Sequence, residues 1–267
     1  MKNDEIKQAN RKTLPKFLLF AVICAIIGGV IGYFSGYGSA KGDTDKLAGI
    51  MKEAGAFFGT HIAPWLTVAT AVVVPAICMP VYGSAKKLLG AWDGEDENIS
   101  DKIDRKLSVV IWITSSTLIF SYFLIAASFS DGLSIFDDEN KTVVFFIGVA
   151  AFLIIMIEAI IIQQKCIDLV KQVNPEKKAS VYDMKFQKKW VDSCDEAEKI
   201  MIGKCAYKAY SATNIVCMVL SIILALCAPV FGIGFLPSFT VCLVWIVNIS
   251  AYFKEAMRYS KAGNKIF

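Results

Sequence analysis

Glu158 is the single acidic or basic side chain among Asp, Glu, Lys and Arg within six long apolar segments of this 267-residue chain. An acid held in hydrocarbon ordinarily faces a bundle interior or a cavity, where it can carry a proton or meet a cation. It stands four residues before the end of its segment, hence about 6 Å from that boundary at ~1.5 Å of rise per residue. Asn248 in the last segment, and Thr114, Ser115 and Ser116 in the third, fall at a comparable depth. Glu158, Asn248 and Ser115 therefore form a candidate intramembrane polar site. The plainer alternative is that Glu158 reaches the interface or makes one hydrogen bond to a neighbour.

Other chemistry finds little support. His61 is the only histidine and lies at the opposite membrane edge, so neither a His-based metal site nor a His-activated nucleophile can be assembled around Glu158. There is no HExxH sequence and no Gly-Lys-Ser/Thr phosphate loop. Two acidic clusters each follow a tryptophan: Glu95, Asp96 and Glu97 after Trp92, and Asp192, Asp195, Glu196 and Glu198 after Trp190. Neither has the alternating ligands and terminal Glu of a calcium-binding loop. The eight cysteines avoid the outward loops and include no CxxC pair, which points to buried apolar side chains rather than disulfides or metal ligands. The expectation is a non-enzyme without metal or cofactor.

The elements that must position these residues follow from hydropathy and charge. The apolar segments cover roughly residues 17–37, 62–82, 107–129, 143–162, 212–231 and 235–253, each close to the ~20 residues that cross a bilayer as a helix. With 55% apolar residues and a mean hydropathy of +0.53, the chain reads as one all-α membrane domain, a six-helix bundle. Of 28 Lys and Arg residues, only Lys41, Lys46, Lys52 and Lys141 fall in the loops that would face outward if the amino terminus is cytoplasmic. The positive-inside bias therefore places both termini in the cytoplasm. That excess of inward lysines reads as topology and attraction to anionic lipid, so nucleic acid is not an expected partner.

The inward loops are themselves organised. Residues 84–92 prolong the second segment, Asp93-Gly94 makes a turn, and Ser100 can cap the helix that enters the third. Gln163 to Val173 continues the fourth segment until Asn174-Pro175 stops it. A second helix is expected from Ser180, because Phe186, Trp190, Cys194, Ala197, Met201 and Cys205 recur at steps of three or four toward Ala212. Residues 163–211 thus read as a cytoplasmic helical hairpin, with Phe186, Trp190 and Met201 as its candidate interaction surface. Outside, residues 44–60 place Leu47, Ile50, Met51, Ala54, Phe57 and Phe58 on one face and read as a helix in the outer interface. Gly28, Gly32 and Gly36 put a smooth strip on the first segment, suited to packing in the bundle or to a homodimer. Pro75 and Pro80 should bend the second segment.

The run from Asn174 through Pro175, Glu176, Tyr182, Asp183, Phe186 and Trp190 to Cys194, Asp195, Glu196 and Lys199 resembles a bacterial membrane family known as domain of unknown function 3169. The loop Trp92-Asp93-Gly94-Glu95-Asp96-Glu97 and the tail from Leu243 to Asn248 are similar too, so the resemblance covers nearly the whole chain. It implies a polytopic plasma-membrane protein, mainly of Gram-positive bacteria such as clostridia and streptococci. The family has no established activity, substrate or catalytic residue. The functional expectation is therefore an interaction or regulatory component docking a membrane or cytoplasmic partner through the hairpin; the alternative is a small-solute or ion transporter built around Glu158.

Overall fold

The computed structural model describes residues 43–177, 179–231 and 233–260, together with residues 14–15, 18–19, 22–23, 25–26, 28–30, 32–33 and 37–38. Among the described residues there is no strand. The helices are α1 (Asp43–Phe57), a π-helical turn (Phe58–Ile62), α2 (Ala63–Ala91), α3 (Glu97–Ala127), a 3-10 turn (Gly132–Asp137), α4 (Glu139–Val173), α5 (Phe186–Asp192), α6 (Glu196–Phe231) and α7 (Leu236–Ser260). Among the described residues, five stretches are long and apolar enough to cross a membrane: Asp45–Ala91, Glu97–Ala127, Glu139–Val173, Glu196–Ala228 and Leu236–Arg258. They correspond to five of the six expected segments. Of the remaining one, 17–37, the structure describes 18–19, 22–23, 25–26, 28–30, 32–33 and 37, all of them helical, while Gly36 lies outside the described residues.

The chain divides into two compact units, residues 52–203 and residues 1–51 with 204–267. In the first, α2, α3 and α4 pack against one another. At the end that carries the π turn, the contacts need glycine. A methyl on Gly59 would collide with the Ala127 carbonyl and Ser130 Oγ, and one on Gly148 would press on Pro64 Cβ at 3.0 Å. The π turn sets Gly59 and Thr60 into this contact, where both are buried, and Ser130 Oγ donates to the Gly55 carbonyl at 2.8 Å. His61 stacks on Phe57 and shares a hydrogen bond of 2.7 Å with Thr60. Helix is present over most of the expected residues 44–60 as α1, with Leu47, Ile50, Met51 and Phe57 exposed. It does not end before the second span, however: the helical stretch Asp45–Ala91 is 47 residues long, or about 70 Å at ~1.5 Å per residue against a hydrocarbon core of ~30 Å.

The opposite end of this three-helix packing is built like a soluble protein. Cys78, Ala85, Ile103, Leu107, Val110, Ile162, Cys166, Leu169 and Val173 make one buried cluster, joined by Leu88, Leu89, Trp92, Ile99 and Val170. Many of these residues lie on the charged helical extensions rather than in the apolar segments, so the extensions carry a core of their own. The turn after α2 uses Gly94 at φ +91°, while Asp93 Oδ1 accepts from the backbone amides of Glu95 and Asp96. The cap of α3 is Asp96, which accepts from the Asn98 amide, and not Ser100, which lies inside the helix. Trp92 Nε1 donates to the Asp96 carbonyl at 3.0 Å and closes the loop.

α4 stops at Val173 with Asn174 as its C-cap, where the Asn-Pro pair requires it. The single helix expected from Ser180 to Ala212 is broken in two. α5 has only seven residues and ends before Ser193. Asp195 and Glu198 then start α6 by reciprocal capping: Asp195 Oδ1 accepts from the Glu198 amide at 2.7 Å, and Glu198 Oε2 accepts from the Asp195 amide at 3.1 Å.

In the second unit, α6 and α7 form a hairpin turned at Gly234, φ +67°. Tyr210 and Tyr252 stack with centroids 4.6 Å apart. Asn214 accepts from both Trp245 Nε1 and Asn248 Nδ2 at 3.1 Å, the kind of polar bond that holds helices together in lipid. A methyl on Gly28, Gly29 or Gly32 would meet nothing within 4 Å.

Candidate functional site

Glu158 is half-buried between α2 and α3, beside a void of about 10 Å³ lined by Thr70, Val74, Pro75, Thr114 and Thr117. That is about the room for one water. The nearby hydroxyl protons are spent on helix carbonyls, Thr70 to Leu66 at 2.7 Å and Thr114 to Val110 at 2.9 Å. Ser115 Oγ accepts from Gln163 Nε2 at 3.1 Å. Among the described residues Glu158 itself makes no hydrogen bond or ion pair. Asn248 serves the Asn214 contact of the other unit. Asn214 itself carried no sequence signal beyond being a polar residue in an apolar run.

A second and richer site lies where the end of α4 meets α5 and the start of α6, where the sequence offered only a lysine pair. Lys177 follows Asn174-Pro175 and turns inward, so that its side chain is 2% exposed. Its ammonium forms an ion pair with Glu198, donates to Cys194 Sγ at 3.3 Å, and stands 5.6 Å from the centre of the Trp190 ring. Burial by itself would lower the lysine pKa; hydrogen bonds to Glu198 and Cys194 and their charge outweigh it, and the net shift is upward. One cation thus ties the end of α4 to α5 and to the first turn of α6.

Gln164 does the same for the loop between. Its Oε1 accepts from the Val181 amide at 2.8 Å and from Ser180 Oγ at 3.1 Å, while its Nε2 donates to Asp168 at 2.7 Å. Ala179 is fully buried beside it. Farther along, Asp183 accepts from the Lys185 amide at 2.8 Å and pairs with Lys189; that hydrogen bond to Lys189, then the one from Lys185, hold its carboxyl below the usual carboxylate range. The pinned loop turns its apolar side chains outward: Tyr182 is 67% and Met184 101% exposed.

Of the expected interaction residues, Phe186 and Trp190 are half-buried and stacked at 5.7 Å, and Met201 is exposed. Tyr182 and Met184 were missed because they break the helical stripe. Below Trp190 opens a cavity of about 260 Å³, with Asp104 and Ile111 of α3, Val170 of α4, and Lys177, Glu198 and Met201 around it. Asp104 Oδ1 is buried there without a hydrogen-bond partner. Among the described residues, no group of His, Cys, Asp and Glu is arranged to hold a metal ion.

Long apolar helices with packed, charged extensions define an all-helical protein suited to a membrane. The chain belongs to the family described as "Protein of unknown function (DUF3169)", whose match covers residues 11–256. No curated relative and no solved structure matches it.

Proposed function

We propose that this is a non-enzymatic component of a bacterial plasma membrane, with six spans and both termini in the cytoplasm, that docks a partner protein through residues 174–203. One observation carries the reading: a loop fixed from beneath by Gln164 and Lys177 holds Tyr182 and Met184 in solvent. Ordering a loop costs about 1–2 kcal/mol per residue in backbone entropy, and pre-ordering it removes that cost from association. The eleven residues from Gln163 to Val173 raise the loop about 16 Å above the apolar segment at ~1.5 Å per residue, beyond the reach of lipid tails. Exposed apolar side chains at that height are suited to a protein pocket, and the surrounding lysines and acids to a polar rim.

The transport reading rests on Glu158, beside Pro75 and without a hydrogen-bond partner among the described residues. Room for about one water and no paired charge make that pathway the weaker of the two.

The test is native mass spectrometry of the protein extracted from its own membrane into nanodiscs, compared with a Tyr182→Ser/Met184→Ser variant. A stoichiometric protein subunit present in the first and absent from the second is expected. An unchanged set of subunits, or none in either, would count against docking. Loss of a bound ion or solute in Glu158→Gln would favour transport instead.

A further inference from the structure

The docking reading makes no use of the cavity beneath Trp190, nor of the orphaned oxygen of Asp104. At about 260 Å³, the cavity far exceeds the ~10–15 Å³ that one water needs. Its walls are mainly apolar, with Leu107, Ile111, Ile167, Val170 and Ile202 among them. Its charge is unbalanced. Asp104 and Glu198 both face it, and the single cation, Lys177, spends its hydrogen bonds on Glu198 and Cys194. Asp101 adds a further like charge near Asp104. A buried carboxylate oxygen without a donor is costly, and among the described residues none supplies one.

A ligand that completed this site would bring one positive charge and N–H donors for Asp104, on an apolar body that fills the space beside Ile111 and Val170. Trp190 lines the same wall. An anion is excluded by the two carboxylates, and a neutral apolar molecule would leave Asp104 unpaired. We propose that the cavity binds a small organic cation, a protonated amine on an apolar body. The proposal is independent of partner docking.

The experiment is calorimetric titration of the protein in nanodiscs of zwitterionic lipid with n-hexylamine, n-hexanol and hexanoate, subtracting empty discs. Hexylamine is expected to bind at one site, at least tenfold more tightly than hexanol, with no binding of hexanoate. Asp104→Asn removes an unpaired buried charge, so it should keep or raise thermal stability while weakening hexylamine at least tenfold. Met201→Trp, at an exposed position on the cavity wall, should block the amine by bulk and decides the matter if Asp104→Asn does not fold. Equal affinity for hexylamine and hexanol, unchanged amine affinity in both variants, or no saturable binding at millimolar concentrations would overturn the proposal.

Discussion

Replacing Lys177 by methionine tests whether one buried cation holds residues 174–203 together. The substitution keeps the length and apolar stem of the side chain but deletes the charge, leaving Glu198 and Cys194 without their donor. Removing one partner of a buried ion pair costs about 3–5 kcal/mol. Glu198 is 31% exposed on its side chain and keeps the Asp195 amide, so partial hydration lowers the expected cost to roughly 2–3 kcal/mol. Local opening should rise by roughly 30- to 150-fold, at ~1.4 kcal/mol per tenfold. Cys194, 6% exposed beneath this pair, reports that opening through its labelling rate with a maleimide, read by peptide mass spectrometry. Cys205 is exposed and serves as the internal control. Lys177→Met/Glu198→Gln should recover much of the protection, since it removes the stranded charge. A Cys194 rate within threefold of the parent in Lys177→Met, or no recovery in the double variant, would refute the reasoning.

Four further outcomes follow from the same geometry. Gln164→Ala strands the Val181 amide; the cost is about 1–3 kcal/mol of local stability, read as faster amide exchange at Ser180 to Asp183 with α2 and α3 unchanged. The Lys177 pKa is raised, so its contribution is complete below the ordinary lysine value of 10.5 and lost as pH rises through the higher folded value. A 5-fluorotryptophan resonance of Trp190 should accordingly stay constant from neutral pH to about that value and move only above it. Gly59→Ala should destabilise the bundle by about 1–3 kcal/mol or more, because the methyl meets a carbonyl that cannot yield, whereas Gly83→Ala, with nothing within 4 Å, should be neutral or slightly stabilising in the same unfolding titration. Asn214→Leu removes two interhelical hydrogen bonds; at ~0.6 kcal/mol each in a membrane, an unfolding cost near 1 kcal/mol is expected, and one above about 3 would show a larger role.

Much of the architecture was legible because hydrocarbon imposes a simple rule: a stretch without charge and about 20 residues long is a span. The helix stop at Asn174-Pro175 and the turn at Asp93-Gly94 were equally open to reading, since proline and glycine act through local sterics. The break between α5 and α6 was hidden by the apolar stripe, which runs through it undisturbed. The Asp195-x-x-Glu198 cap that makes the break was present in the sequence, but periodicity does not register it. Asp96 was passed over as the cap of α3 in favour of Ser100 for a similar reason, as one acid in a cluster of acids.

The site was less legible than the fold. Lys177 stands beside Lys178 in a basic run, and only the path of the chain after Pro175 turns it inward onto Glu198. Gln164 and Asp104 are likewise ordinary polar residues on helical extensions until three helices bring their surroundings together. Burial of a charge is a property of the neighbours, which single-chain patterns do not carry. Glu158 drew attention by being alone in an apolar run, yet the space beside it holds about 10 Å³ while the cavity at Asp104 holds about 260 Å³.

The most direct test of partner docking is photo-cross-linking in native membranes from Met184→p-benzoylphenylalanine, at the most exposed apolar position of the pinned loop. The account predicts a discrete adduct with one protein other than this chain, weakened by Gln164→Ala, which releases the loop. Adducts only with lipid or with a second copy of the chain, or the same adduct formed equally from the exposed position 101 on α3, outside residues 174–203, would contradict it.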